Sequence, residues 1–279
     1  MQCLRPIASL IALSVVAGCA SHGLDPTAFD DHKTLIANFD HGVDADFARG
    51  DARLYTAPSY REQDQAQPGL GNPAVRLAPG KGRKGGGALE FLQKNRHAIF
   101  YRAKDNIATD GDGLSCTLGF WLNLNPDQDL EPGYCDPIQV TDQSFRDNAV
   151  WVDFTKDDTP RRFRLGVFGE HDEWNPEGLP VTEHPGFEQR LVAVDRPPFV
   201  RGEWHQVVIV VETAKGRADL YLDGVHQGQS TGITESFRWD LDRAAIRIGV
   251  NYVGLFDELV AFDRALSPDE VSALHQTTR

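Results

Sequence analysis

The stretch from residue 253 to residue 271 constrains the fold more than any other part of the chain. Between Leu255 and Phe262, apolar residues that favour strands are interrupted by Asp257 and Glu258. Such a run is typical of a strand that packs one face into a core and keeps a polar position for a purpose. The pattern therefore predicts a partly buried strand that ends near Phe262.

The residues after this strand carry the signals of a capped helix. Ser267 offers a side-chain oxygen suited to an N-cap, and Pro268 fits the first helical position. Glu270 follows the cap by three residues, as in a capping box. Val271 and Leu274 give the segment a small apolar face. We therefore expect a short helix of about two turns.

This strand and helix resemble the C-terminal signature of laminin-G-like jelly rolls in the concanavalin A-like lectin and glucanase superfamily. Trp204-His-Gln-Val, followed by Leu220-Tyr-Leu-Asp-Gly, resembles a hairpin of that family, and Thr117-Leu-Gly-Phe-Trp resembles one of its strands. The resemblance extends from about Ala37 to the C-terminus. It implies an all-β fold, namely a two-sheet antiparallel jelly-roll sandwich with a short C-terminal helix.

The N-terminus predicts export. Arg5 precedes an apolar run from Ile7 to Ala17, which has the length of a signal-peptide core and is too short for a stable membrane span. Val16-Ala-Gly-Cys19 matches the bacterial lipobox, in which the cysteine is acylated and becomes the first residue. An ordinary secretory signal, with Cys19 as an incidental residue, is the alternative.

The chain accordingly divides into three predicted parts. Residues 1–18 form a lipoprotein signal peptide, residues 19–33 a tether, and residues 34–279 one LamG-like jelly-roll domain. Acylation of Cys19 would anchor the protein in the membrane of a bacterial cell envelope. The residues that follow Cys19 offer no acidic retention signal, which favours the outer membrane.

Net charge limits the partners. The chain has 28 basic and 41 acidic residues, so its formal net charge is −13. This balance argues against nucleic acid and against an anionic lipid surface as the main partner. A glycan or a cell-surface protein remains, with membrane contact through the lipid anchor alone.

Two cysteines remain in the folded part. Alternation places Cys116 on the apolar face of its strand, which is typical of a buried thiol. If the strands of Cys116 and Cys135 form a hairpin around Pro126–Pro132, one thiol lies far from the turn and the other near it. This geometry disfavours a disulfide, although the export compartment would permit one.

A calcium site is predicted where the two ends of the domain meet. In a jelly roll the first and last strands are often neighbours, so Asp40 would approach Asp257 in the closing strand. Carboxylates are hard oxygen ligands of the kind that Ca²⁺ binds. The resemblance implies a structural Ca²⁺ held by these two residues. The alternative is that both carboxylates cap turns by accepting backbone amides.

No local array of residues indicates catalysis. Glucanases of the superfamily carry Glu-x-Asp-x-x-Glu on one strand, whereas the nearest strand here, Trp151-Val-Asp-Phe, has the single carboxylate Asp153. The sequence contains no nucleophile elbow, no zinc-protease motif and no phosphate loop. We predict no catalytic residue, and a hydrolase built from carboxylates on separate strands stays open.

Strand alternation predicts a binding platform. In residues 149–154 and 163–168 the apolar positions form one face, which leaves Trp151, Asp153 and Arg164 on the other. If the two runs pair, Asp153 and Arg164 meet. An aromatic ring beside charged groups suits a sugar, because the ring covers its apolar face and the polar groups take its hydroxyls. The alternative is a cross-strand ion pair under a covering loop.

Further ligand-binding residues are expected beside this platform. The same parity in neighbouring runs sends Gln139 and Trp121 to a face outside the core. Four residues in predicted loops near strand ends complete the expected rim: Trp174, Asn175, Tyr134 and Asp136.

The sequence as a whole predicts an exported, lipid-anchored binding protein that catalyses no reaction. The family resemblance makes a glycan the expected ligand. A structural or adhesive envelope protein that binds another protein is the first alternative, and a glycan hydrolase or lyase is the second.

Overall fold

The computed structural model describes residues 29–111 and 113–277. The predicted signal peptide, Cys19 and most of the predicted tether therefore lie outside the described residues. Within the described ranges the chain forms 18 strands and three α-helices. None of the helices found there is long and apolar enough to cross a membrane.

The strands, in chain order, are β1 (Lys33–Ala37), β2 (Phe47–Ala48), β3 (Tyr55–Ala57), β4 (Gln67–Pro68), β5 (Val75–Leu77), β6 (Leu89–Phe91), β7 (Ala98–Arg102), β8 (Thr109–Asp110), β9 (Gly113–Asn123), β10 (Cys135–Thr141), β11 (Ala149–Phe154), β12 (Phe163–Phe168), β13 (Val192–Val194), β14 (His205–Glu212), β15 (Arg217–Leu222), β16 (Val225–Thr231), β17 (Ala245–Val250) and β18 (Gly254–Phe262). The helices are α1 (Pro126–Asp129), α2 (His171–Trp174) and α3 (Pro268–Thr277). Short 3-10 turns lie at Asp30–His32, Gln63–Gln65, Val181–Glu183, Glu188–Arg190 and Thr213–Lys215.

These strands form two antiparallel sheets that pack face to face. The first sheet has the order β16-β15-β14-β9-β18-β1-β2, with β6 and β5 continuing from β18 and β8 pairing with β9. The second sheet has the order β13-β12-β11-β10-β17-β7-β3-β4. The predicted all-β sandwich is confirmed.

Strand alternation supplies the core between the sheets. The apolar positions predicted for β11 and β12 all lie in the main core: Val150, Val152, Phe154, Phe163, Leu165 and Val167. Full burial of each such side chain contributes about 1.5–3 kcal/mol of transfer free energy. The opposite positions of the same strands form the outer face of the second sheet.

The C-terminal helix begins as predicted. The Ser267 N–H donates to Glu270 Oε2 over 2.8 Å, and the Glu270 N–H donates to Ser267 Oγ over 3.3 Å, which completes a capping box. Val271 and Leu274 are buried against the outer face of the first sheet. With 10 residues, α3 has nearly three turns and is longer than predicted.

The strands of Cys116 and Cys135 do not form the hairpin that was considered around Pro126–Pro132. β9 belongs to the first sheet and β10 to the second, because the segment that contains α1 carries the chain from one layer to the other. Cys116 and Cys135 are both buried and unbridged. Burial raises the pKa of the Cys116 thiol to about 12 and that of Cys135 well above its usual range. Both side chains therefore pack as neutral thiols.

Candidate functional site

A row of polar side chains crosses the outer face of the second sheet. It contains Arg164 from β12, Asp153 from β11, Asp136 and Gln139 from β10, and Arg247 from β17. Register places Asp153 opposite Arg164, and Gln139 opposite Arg247. All five residues are 9% exposed or less. This outer row departs from the rule that buried positions are apolar.

The first half of the outer row is a buried ion pair. Arg164 Nε donates to Asp153 Oδ1 over 2.8 Å, and Arg164 Nη2 donates to Asp153 Oδ2 over 2.5 Å. The predicted meeting of these residues is confirmed, and the bond is bidentate. Arg164 also lies 3.5 Å from the exposed Glu188 carboxylate and 5.3 Å from the ring centroid of Tyr134.

The second half is a chain of hydrogen bonds through an amide. Gln139 Nε2 donates to Asp136 Oδ2 over 2.7 Å, and Arg247 Nη1 donates to Gln139 Oε1 over 2.8 Å. Arg247 Nε donates to Gln63 Oε1 over 2.9 Å, while both Nη atoms face the Gln143 carbonyl at 3.4–3.5 Å. Asp136 therefore belongs to a strand, and the loop position predicted for it is wrong.

Burial shifts the pKa of each charged end of this chain. It raises the pKa of Asp136 well above the usual range, and the neighbouring Asp153 carboxylate adds to the rise. Burial also raises the pKa of Asp153, although its hydrogen bonds from Arg164 oppose the shift. Burial lowers the pKa of Arg247 to about 10. The outer row thus combines a carboxylate that is paired with arginine and a second one, Asp136, whose raised pKa favours its protonated form.

Trp151 forms a wall of the site instead of the exposed plate that alternation suggested. Its side chain is 2% exposed, and its Nε1–H donates to the Phe145 carbonyl over 2.6 Å. The ring lies over Gly166, where an added Cβ would stand 2.2 Å from it. Three aromatic residues cover this region: Phe168, Trp174 and Phe187. This part of the outer face therefore fits the alternative given above, in which a loop covers the ion pair of the two strands.

The predicted rim is buried except at one residue. Trp174 donates from Nε1 to the Arg146 carbonyl over 2.9 Å and is 4% exposed. Asn175 is 2% exposed, and its side chain closes a turn through two hydrogen bonds with Leu179. Tyr134, in contrast, is 47% exposed. Tyr134 is therefore the aromatic ring at the outer row that a ligand can reach directly.

Trp121 lies outside the group that the structure brings together. It belongs to β9 in the first sheet, where its ring stacks on His275 with the centroids 5.7 Å apart. The Arg83 guanidinium covers it at 4.2 Å. Parity correctly placed Trp121 on a face outside the core, but that face belongs to the opposite side of the sandwich from Gln139.

The two predicted calcium ligands both bind the glycine-rich loop before β6. β1 and β18 are neighbours, as expected. Asp40 Oδ1 accepts from the Gly87 N–H over 2.8 Å, and Asp257 accepts from the Arg83 and Glu258 N–H groups over 2.8 and 2.7 Å. Glu258 has a positive φ of 49°, within a register shift of β18 that places these acidic groups beside the loop. The amide-capping alternative is thus realised in this structure.

The electrostatics of Asp257 nonetheless suit a cation. Burial raises the pKa of Asp257 to about 7, and the carboxylates of Glu258 and Asp40 add to the rise. Within the described ranges, Asp257 accepts from backbone N–H groups and pairs with no basic side chain that would compensate its charge. A hard divalent cation would do so. Among the described residues, no three metal-binding side chains converge, so carbonyls and water would have to supply the other ligands.

Sequence reasoning missed three residues of the outer row and its surroundings. Arg247 occupies an outer-face position of an alternating run, Ile246-Arg-Ile, so its parity gave a usable signal. Tyr60 lies over Arg247 with 5.4 Å between the guanidinium and the ring centroid, and Gln63 bonds the same side chain. Both belong to an irregular segment, where no periodicity points to a face.

A separate cavity lies at one end of the sandwich. It has a volume of about 480 Å³ and is lined by Thr34, Arg49, Asp105, Ile107, Ala108, Thr109, Leu241 and Asp263. Arg49 already pairs with Asp263 over 2.6 Å and donates to the Asp31 carbonyl. Its strongest binding group is therefore engaged, and we place the candidate site at the outer row.

The comparisons with known proteins agree with the fold. A family model described as the concanavalin A-like lectin/glucanases superfamily matches residues 103–272. A search among curated proteins found no match. Domain 4 of AbnA, a GH43 extracellular arabinanase from Geobacillus stearothermophilus in complex with arabinotriose, matches with a TM-score of 0.55 and 16% identity over 88% of this chain and 98% of that one.

Binding domains of botulinum neurotoxins match at similar levels. The serotype D ligand binding domain in complex with N-acetylneuraminic acid has a TM-score of 0.59 and 10% identity over 90% of this chain and 52% of that one. A type C neurotoxin, whose cell entry depends on two ganglioside molecules, has a TM-score of 0.59 and 10% identity over 91% and 53%. This chain spans about half the length of those domains. At such identities the likeness concerns the fold.

Proposed function

We propose that this chain, which belongs to the concanavalin A-like lectin/glucanases superfamily, binds a glycan on the outer face of its second sheet without catalysing a reaction. The observation that carries the proposal is the buried outer row that ends beside the exposed ring of Tyr134. Structures with the same fold bind arabinotriose and N-acetylneuraminic acid, which supports a glycan as the ligand.

Tyr134 would provide the stacking surface. Its ring is 47% exposed and has the Arg164 guanidinium 5.3 Å away, while Lys156 Nζ lies 6.0 Å from the same centroid. A sugar ring on this surface would bury its apolar face and direct its hydroxyls toward the charged groups. Asp136, two residues after Tyr134, and Glu188, 3.5 Å from Arg164, offer acceptors at this end of the outer row. Trp151, whose ring centroid lies 6.0 Å from the Arg164 guanidinium, would form a wall of the site.

One observation favours a glycan hydrolase or lyase as a second candidate. Asp136 and Asp153 lie on adjacent strands, and burial together with their repulsion raises the pKa of Asp136, which suits a general acid. We place this candidate second because both oxygens of Asp153 are bonded to Arg164. Asp153 is therefore not free to act as a nucleophile or base.

Export, lipidation and calcium complete the proposal. The lipobox supports acylation of Cys19 and attachment to the outer membrane of a bacterial envelope. Mass spectrometry of the protein from cells would detect the acyl chains, and Cys19→Ala should release it from the membrane fraction. For calcium, Asp40 and Asp257 would hold the ion, which would supply the charge compensation that Asp257 lacks.

The test of function is a saccharide array with the purified full-length chain in detergent, followed by calorimetry on each hit. We expect saturable binding that Tyr134→Ala weakens about 2- to 12-fold, the value of an aromatic contact of about 0.5–1.5 kcal/mol. Phe47→Ala is the matched control, because Phe47 is 44% exposed but belongs to the first sheet.

Three outcomes decide between the candidates. Binding that depends on Tyr134 and not on Phe47 supports the proposal. New reducing ends or unsaturated products, lost in Asp136→Asn, would favour the hydrolase or lyase. Silence across the array would contradict glycan binding and favour a structural or adhesive envelope protein.

A further inference from the structure

Arg247 is a buried cation that makes no direct ion pair among the described residues, although the Asp142 and Asp136 carboxylates attract it at longer range. Its side chain donates to the amide oxygens of Gln63 and Gln139 and to the Gln143 carbonyl, all of which are neutral. Arg247 is 2% exposed, and it forms no ion pair with a carboxylate in that part of the chain. A buried charge is normally paired with an opposite one. Arg247 therefore differs from Arg164, the other arginine of the outer row.

A second unsatisfied group lies against Arg247. The Tyr60 hydroxyl is buried and has no hydrogen-bond partner within the described part of the chain. The Tyr60 ring centroid lies 5.4 Å from the Arg247 guanidinium carbon. A buried hydroxyl without a partner is unfavourable, and a ligand atom that accepts from it would remove this cost.

Among the contacts of Arg247, the one with the Gln143 carbonyl is weak enough to be replaced. The two terminal nitrogens share one carbonyl, that of Gln143, at 3.4–3.5 Å, which is at the limit of a hydrogen bond. Gln143 itself is an exposed loop residue. Gln63 belongs to the short turn Gln63–Gln65, next to Tyr60. A carboxylate offers two oxygens that match the guanidinium fork and neutralises its charge.

We propose that Arg247 and Tyr60 form a subsite for the carboxylate of an acidic sugar, such as a uronate or sialate unit. This inference rests on the proposed glycan-binding function and specifies its ligand class. The carboxylate would replace the Gln143 carbonyl at the fork, and the Tyr60 hydroxyl would donate to it. Gln139 would keep its bond to Arg247 and orient the guanidinium.

Asp136 does not oppose an anion at this subsite. Its carboxyl reaches Arg247 only through the Gln139 amide. Asp142 is the other carboxylate that acts on Arg247. Burial raises the pKa of both carboxyls, which favours their neutral forms and reduces their repulsion of an anion. The overall net charge of −13 acts mainly at long range. Salt screens charges beyond about 8 Å at physiological ionic strength, so the local cation decides the preference.

The test compares acidic saccharides with neutral counterparts by isothermal titration calorimetry on the full-length chain. The probes are trigalacturonate against its carboxyl-reduced form, and 3′-sialyllactose against lactose. We expect at least one acidic probe to bind about tenfold or more tightly than its neutral counterpart, the scale of a charged bidentate contact. Tyr60→Phe should weaken that acidic probe about five- to tenfold and leave the neutral probe unchanged.

Two variants separate this role from folding. Tyr60→Phe removes a hydroxyl that makes no bond to the described residues, so its melting temperature should stay at or above that of the wild type. Tyr252→Phe is the matched control, since the Tyr252 hydroxyl donates to the Leu255 carbonyl over 2.9 Å in the core. It should lower the melting temperature and leave the binding constants unchanged. Arg247→Lys keeps the charge but loses the fork, and should reduce the preference for the acidic probe.

Each result is decisive. Equal affinity for an acidic probe and its neutral counterpart overturns the subsite and leaves the glycan-binding function intact. An acidic preference that Tyr60→Phe does not alter places the carboxylate elsewhere and also overturns the subsite. If no saccharide binds, the proposed function fails, and this inference fails with it.

Discussion

Replacing Asp257 by asparagine should change how the stability of the fold depends on pH. The Asp257 carboxyl is 2% exposed, and burial raises its pKa to about 7 from 3.8. The folded protein therefore binds this proton more tightly than the unfolded chain. The contribution of Asp257 to stability is then most favourable below about pH 4, and it declines as the pH rises toward 7. At 1.36 kcal/mol for each pKa unit, the decline amounts to about 4 kcal/mol.

An asparagine at this position cannot titrate, so the variant lacks this decline. In a chelating buffer, the free energy of unfolding of Asp257→Asn relative to the wild type should rise by about 4 kcal/mol between pH 4 and pH 8. Urea denaturation at each pH, followed by tryptophan fluorescence, gives this difference. Other buried acids such as Asp136 titrate in both proteins, so their contributions cancel in the difference between the two free energies of unfolding. Asp46→Asn is the control, because Asp46 is an exposed carboxylate that also accepts one backbone amide.

Calcium adds a second arm to the same experiment. At pH 8 and a concentration about 100 times its dissociation constant, Ca²⁺ should stabilise the wild type by about 2.7 kcal/mol and Asp257→Asn by much less. A wild-type response that the variant shares would remove Asp257 from the calcium proposal. A difference between the two proteins that stays flat from pH 4 to pH 8 would refute the assignment of a raised pKa to this carboxyl.

Three further substitutions test the packing around the outer row and the C-terminal helix. Arg164→Met leaves the Asp153 charge buried without its partner, so urea denaturation should show a free energy of unfolding that is lower by about 3–5 kcal/mol. A decrease below about 1 kcal/mol would contradict the paired geometry. Gly166→Ala puts a Cβ 2.2 Å from the Trp151 ring, so it should lower the free energy of unfolding by about 1–3 kcal/mol. The displaced ring should also be quenched more strongly by acrylamide, and unchanged quenching would contradict the close contact. Ser267→Ala removes the N-cap of α3 and should lower the free energy of unfolding by about 1 kcal/mol, and a neutral result would mean that the cap adds nothing.

The sequence predicted the layers of the fold because alternation and capping are local signals. The pairing of Asp153 with Arg164 followed from parity in two adjacent runs, and the helix start followed from Ser267 and Glu270. Parity does not tell which sheet a strand joins. Trp121 and Gln139 therefore had the same predicted side, yet the sandwich has two outer faces and they lie on different ones.

The sequence also could not predict which outer-face residues are covered by loops. The parity of Trp151 was correct, but two residues from a distant part of the chain, Trp174 and Phe187, roof the ring. Gly166, opposite Trp151, was a usable sign that a large ring lies flat on the neighbouring strand. Tyr60 had no such sign, because an irregular segment carries no period from which its direction could be read.

The outer row is unfavourable for the stability of the fold, and this supports a binding role. A buried ion pair such as that of Asp153 and Arg164 adds little stability compared with apolar residues of the same volume, which are often neutral or better by about 1–4 kcal/mol. Within the described chain, Arg247 bonds only neutral groups and the Tyr60 hydroxyl has no hydrogen-bond partner. Real proteins break the rules of burial mainly at functional sites. Several such departures on one face of one sheet, beside the exposed Tyr134, therefore favour a ligand over a structural explanation.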